Sequence, residues 1–74
     1  MRLTRQAKIV LDVFRERHVQ AGGSMRFDLI YLHVRDADIA RKGVAALESN
    51  GLIEGNGEDA VLTPTGYSEM WSVR

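Results

Sequence analysis

The sequence predicts a mainly α domain with a small β-hairpin (α+β): a three-helix core, a two- or three-stranded antiparallel sheet and a short C-terminal helix. Three observations predict it. Apolar residues recur at helical spacing in three successive windows before the Asn50-Gly51 break. Two short apolar runs, Leu52-Ile53 and Ala60-Val61-Leu62, then flank Asn56-Gly57, a strong hairpin signal because both residues tolerate positive φ. Finally, Thr63-Pro64-Thr65-Gly66 places a proline where a further helix would begin. Seventy-four residues make one domain, taken as 1–74.

The first helix is expected over 4–18. Thr4 offers an N-cap hydroxyl to a free backbone N–H of the first turn. Ala7, Val10, Leu11, Phe14 and His18 form one stripe, and Arg15 and Arg17 suit the negative C-terminal pole. Gly22-Gly23 breaks the pattern. A second helix is expected over 24–34, with Ser24 as an available N-cap and Phe27, Ile30, Tyr31 and Val34 as its stripe. Leu29 and Leu32 lie off that stripe, so this helix is apolar almost all round and suits a central position or a shared surface. The pattern equally allows Met25-Arg26-Phe27 to be a short strand, with the helix starting after Asp28.

The third helix is expected over 37–49. Asp36 is its N-cap, Asp38 adds negative charge to its first turn, and Ala40, Val44 and Leu47 form its buried stripe. Gly43 in its middle costs about 1 kcal/mol against Ala, which predicts a close backbone approach. Asn50 or Gly51 takes the left-handed C-terminal position. The second and third helices meet around Arg35 with no room for a loop, so they turn sharply, as in a helix-turn-helix. Strands are expected over 52–54 and 60–63. Thr63 then ends the second strand and caps a fourth helix over 64–72, with Pro64 at its first position. Gly66 stands where a capping box prefers Glu or Gln, which predicts tight packing of the helix start. Tyr67, Met70 and Trp71 give this helix its apolar spacing.

Composition narrows the function classes. The chain has no cysteine, so neither disulfides nor a thiolate metal site can stabilise it. Its apolar runs are far too short to span a membrane, and no apolar segment of signal-peptide type follows Met1-Arg2, so the expectation is a cytoplasmic protein. Net charge is zero but unevenly spread. Residues 1–26 carry Arg2, Arg5, Lys8, Arg15, Arg17 and Arg26 against Asp12 and Glu16, whereas 51–74 carry Glu54, Glu58, Asp59 and Glu69 against Arg74. This asymmetry suits either a polyanionic partner for one face or a dipolar domain without one. No nucleophile–base pair, phosphate-binding glycine loop or paired carboxylates stand out, so the chain reads as a non-enzyme without cofactor. His18 and His33 lack neighbouring ligands for a metal.

The order of elements and the residues at their joints resemble the winged helix-turn-helix domains of bacterial and phage transcription regulators. Leu47-x-x-x-Gly51-Leu52-Ile53 looks like a recognition helix running into the wing. Leu62-Thr63-Pro64-Thr65-Gly66 is similar to the step from wing to helix in MarR- and PadR-type regulators. Leu3-Thr4-Arg5-Gln6 with Ile9-Val10-Leu11 resembles the first helix of Fur-type regulators. The resemblance covers about residues 3–67 and implies duplex DNA as partner, with a homodimer as the binding form. The chain departs from the pattern at the turn, which lacks glycine, at His33, and in a short wing whose Glu58 and Asp59 stand where DNA-touching wings carry Arg or Lys.

On that resemblance the third helix presents Ala37, Asp38, Arg41, Lys42 and Ala45 to base edges, with Arg41 best suited to guanine. Arg2, Arg5, Arg26 and Arg35 then hold phosphates. The plainer alternative makes Arg41 and Lys42 the solvated face of an amphipathic helix. Leu29, Leu32, Tyr67, Met70 and Trp71 form either a partner or dimer surface or, folded back, part of the core. A winged helix that has lost DNA binding and docks through these residues is the competing function.

Overall fold

Thr4 starts the first helix as expected: its Oγ1 accepts the Ala7 N–H at 3.1 Å, and α1 runs Arg5–Glu16 in a computed structural model that describes residues 3–72. Ala7, Val10, Leu11 and Phe14 are buried, joined by Val13 and by Leu3 ahead of the helix. His18 does not continue the stripe. It is exposed, with a left-handed backbone (φ 57°) just past the helix end. There the His18 N–H donates to the Arg15 carbonyl and the Val19 N–H to Phe14, both at 3.1 Å, which is the Schellman pattern with histidine in the glycine position.

The choice left open at residues 24–27 resolves to a strand, β1 (Ser24–Arg26), followed at once by α2 (Phe27–Val34). Met25 is buried between two exposed neighbours, the alternation of a strand with one covered face. Ser24 therefore pairs in the sheet instead of capping α2, whose N-cap is Arg26 without a side-chain bond. The expected stripe on α2 is also corrected. Only Ile30 is fully buried; Phe27, Leu29 and Val34 are half-buried, and Tyr31 and Leu32 are exposed. A helix of two turns packed on α1 and on the next helix buries one side and leaves the other to solvent.

Arg35, again left-handed (φ 63°), closes α2 by donating its N–H to the Tyr31 carbonyl at 3.1 Å. Asp36 then caps α3 (Ala37–Ser49), its Oδ1 accepting the N–H groups of Asp38 and Ile39 at 3.0 and 3.1 Å. Ala40, Gly43, Val44 and Leu47 face inward. A Cβ at Gly43 would lie 2.5 Å from both the Gln6 carbonyl oxygen and Val10 Cγ2, so the glycine sets the α1–α3 approach. Gly51 (φ 71°) ends α3 with the Leu52 N–H bonded to the Leu47 carbonyl at 2.9 Å, and both leucines are buried.

The hairpin strands are β2 (Ile53–Asn56) and β3 (Asp59–Leu62), each displaced slightly from expectation. Asn56 pairs with Asp59, so the two-residue turn is Gly57-Glu58, one residue later than expected. Only Gly57 has positive φ there, the pattern of a type II′ turn. The sheet order is β1-β3-β2, antiparallel throughout, with Met25 opposite Ala60 and Ile53 opposite Leu62. Helix α4 (Pro64–Ser72) follows as expected. Thr63 Oγ1 accepts the Gly66 N–H at 2.9 Å, and its own proton is shared between the carbonyls of Gly51 and Leu52 at 2.7 and 3.0 Å. A Cβ at Gly66 would collide with the Leu52 carbonyl oxygen, which accounts for glycine in this first turn.

Three helices around one core, a three-stranded sheet whose hairpin projects as a wing, and a terminal helix on α1 make a small α+β, winged-helix-like fold. No helix among the described residues is long and apolar enough to cross a membrane.

Candidate nucleic-acid interface

Helix α3 packs on α1 through Ala40, Gly43, Val44 and Leu47, and this burial determines its outward face. Ala37, Asp38, Arg41, Lys42 and Ala45 are all exposed, and their helical spacing places Asp38, Arg41, Lys42 and Ala45 on one side. Arg35 stands exposed at the turn just ahead of them. Between α2 and α3, Tyr31, Ala37, Asp38 and Arg41 line an open groove.

Asp38 dominates the electrostatics of this face. Its Oδ1 receives Arg41 Nη2 at 2.6 Å and its Oδ2 receives Lys42 Nζ at 3.2 Å, so one carboxylate holds both cations of the helix. The hydrogen bond from Lys42, then that from Arg41, keeps the Asp38 carboxyl below its ordinary value of 3.8. Exposed pairs of this kind contribute little to stability. Their consequence is for binding: the positive charge offered to a partner is less than the two side chains suggest.

Arg26 is compensated in another way. Its guanidinium lies 3.2 Å from Asp28 and 3.8 Å from Glu58 at the wing tip, and the register sets it opposite Asp59. Two carboxylates at its guanidinium and a third opposite in register argue against a phosphate at that point. Arg5 is exposed in the first turn of α1, and Arg2 lies outside the described residues. Arg5, Lys8, Arg17 and Arg35 are exposed and form no ion pair among the described residues.

The five residues expected as a partner surface separate. Leu32 and Trp71 are 68% and 51% exposed, whereas Leu29 and Tyr67 are half-buried against the core. Met70, at 1% exposure, is a core residue, because α4 folds back onto α1. Tyr67 and Trp71 meet edge to face, with ring centroids 6.2 Å apart. Among the described residues, no three His, Cys, Asp or Glu side chains come together as a metal-ligand set.

Two features escaped the sequence reading. The Asp38 clamp went unread although its i,i+3 and i,i+4 charge spacing to Arg41 and Lys42 was a signal for it. The left-handed backbone of Arg35 carried no signal, since glycine is the residue that announces such a position. Compared with family profiles, curated proteins and solved structures, the chain matches none of them.

Proposed function

We propose that this chain is a DNA-binding protein, a small transcription regulator that reads duplex DNA through α3. The observation that carries the reading is the sharp α2–Arg35–α3 turn, followed by an outward face of α3 that exposes Ala37, Arg41, Lys42 and Ala45. Such a helix enters a major groove by its first turns. Arg41 presents donors to guanine O6 and N7, Lys42 stands beside it on the same face, and Arg35 and Arg5, with Arg2, supply backbone contacts. The likeness of the Leu47-to-Ile53 and Leu62-to-Gly66 joints to those of MarR- and PadR-type regulators supports the same reading, as does the Fur-like start of α1. No catalytic role and no cofactor enter into it.

A second reading has its own support. The acidic wing tip, the clamped cations of α3 and the exposed Leu32 and Trp71 suit a winged-helix module that docks on a protein or a second copy. A duplex-binding titration at several salt concentrations, beside sedimentation, separates the two. DNA binding through α3 predicts that Arg41→Ala with Lys42→Ala weakens binding to the preferred duplex about tenfold or more, the scale of a lost base contact. A double variant that binds like the parent overturns α3 as the reader. Absence of duplex binding at low salt, together with concentration-dependent assembly, favours the docking module.

A further inference from the structure

We infer that Asp38 is the specificity-determining residue of the α3 face: it orients the Arg41 guanidinium for guanine and withholds Arg41 and Lys42 from indiscriminate phosphate binding. The inference rests on the DNA-reading function proposed above. Both carboxylate oxygens are engaged, one by each cation, at 2.6 and 3.2 Å, so the two side chains are held to one anchor on the exposed face. No other carboxylate pairs with Arg41 or Lys42 among the described residues. A guanidinium tethered through Nη2 leaves Nε and Nη1 with donors to spare, and two parallel donors are what guanine O6 and N7 require.

The carboxylate also acts against wrong docking. It repels phosphate, so a register that brings the backbone onto the first turn of α3 is disfavoured. Against base edges it accepts only from the amino groups of cytosine or adenine. An Arg41–Asp38 unit thus favours a guanine next to, or across from, an amino-bearing base, and it disfavours carbonyl oxygens at Asp38. The cost is lower affinity for duplex in general. The expected partner is a G·C-containing duplex bound with modest affinity and high discrimination.

The test compares the parent with Asp38→Ala and with the double variant Asp38→Ala, Lys42→Ala. Probes are a short randomised duplex pool and the duplexes that the parent enriches from it. Circular dichroism checks folding, since Asp36 still caps α3 in each variant. Release of Lys42 predicts that Asp38→Ala binds the random pool more tightly, with a salt slope steeper by about one, and that the double variant returns the slope to the parental value. Discrimination of the enriched duplex over the pool is expected to fall about tenfold, the scale of one well-placed base contact. If the parent binds duplex but folded Asp38→Ala keeps its slope and discrimination, Asp38 has no such role and the α3 reading still stands. If folded Asp38→Ala loses all binding, Asp38 is a direct contact and the withholding role is overturned. If neither parent nor variant binds duplex at low salt, the DNA reading itself falls and takes the inference with it.

Discussion

Among the described residues, two that are not glycine sit in a backbone conformation that L-amino acids avoid: His18 at φ 57° and Arg35 at φ 63°. Left-handed backbone costs a residue with a Cβ about 1–2 kcal/mol. Glycine removes that cost but returns about 0.4–1 kcal/mol through its freer unfolded chain. His18→Gly is therefore expected to stabilise the domain by about 0.5–1 kcal/mol, read as a higher urea midpoint, with duplex binding unchanged. Arg35→Gly is expected to gain as much stability but to lose duplex affinity, with a salt slope flatter by about one. Matching stability gains with matching binding would mean that the arginine serves only the turn. Asp38, held by two cations, adds a pH dependence. Its pKa is depressed in the folded state, so its contribution is present above the ordinary value of 3.8 and is lost as pH falls through the lower folded value. Between about pH 5 and pH 2 the melting temperature of the parent should therefore drop slightly further than that of Asp38→Asn.

At the scale of elements, the α1–α3 interface depends on what is missing at Gly43. Alanine there gains about 1 kcal/mol of helix propensity. Its Cβ would stand 2.5 Å from a backbone oxygen, Gln6 O, which cannot swing aside as a side-chain tip can. Overpacking of this sort costs about 1–3 kcal/mol, so Gly43→Ala is expected to be net destabilising by about 1 kcal/mol in denaturant titration. Equal or greater stability would show that the helices part cheaply. This glycine was readable as a close approach from sequence because its propensity penalty needed a reason, and Gly66 likewise. Helix α3 and helix α4 carry their boundaries in local chemistry: Asp36 and Gly51 for one, Thr63-Pro64 for the other. Strand β1 was ambiguous because Ser24-Met25-Arg26 becomes a strand only by pairing with 59–61, a contact that three residues do not announce. The hairpin turn slipped by one because Asn56 and Gly57 both tolerate positive φ, while the register uses only Gly57. The same division holds at the interface. The exposed face of α3 follows from its periodicity, whereas the Arg26–Glu58 pairing depends on how the wing folds over β1.

At the scale of the whole molecule, burial and charge act together. A chain of this length buries only about 60% of its unfolded surface, so it has little stability to spare and still leaves apolar groups outside. Among the described residues, Leu32 and Trp71 are the most exposed of the large apolar side chains, with Tyr31 next at 38%. What ordinarily keeps such groups apart in solution is net charge, and this chain has a formal net charge of zero at pH 7. Part of that charge is compensated locally, with Arg26 beside the wing carboxylates and Arg41 and Lys42 on Asp38, and the four cations without an ion pair among the described residues are balanced only in the sum over the chain. Near the isoelectric point of about 6.7, long-range repulsion vanishes and short-range apolar attraction prevails. Light scattering is expected to show the strongest self-attraction near that pH and weaker attraction on either side of it. Leu32→Ser should flatten the minimum without lowering the urea midpoint by more than about 0.5 kcal/mol in stability terms, because the side chain packs on little. A minimum that survives the substitution would mean that charge compensation alone, or Trp71 on α4, drives the association. A defined dimer that persists far from the isoelectric point would instead identify a specific apolar interface and strengthen the docking reading over the DNA reading.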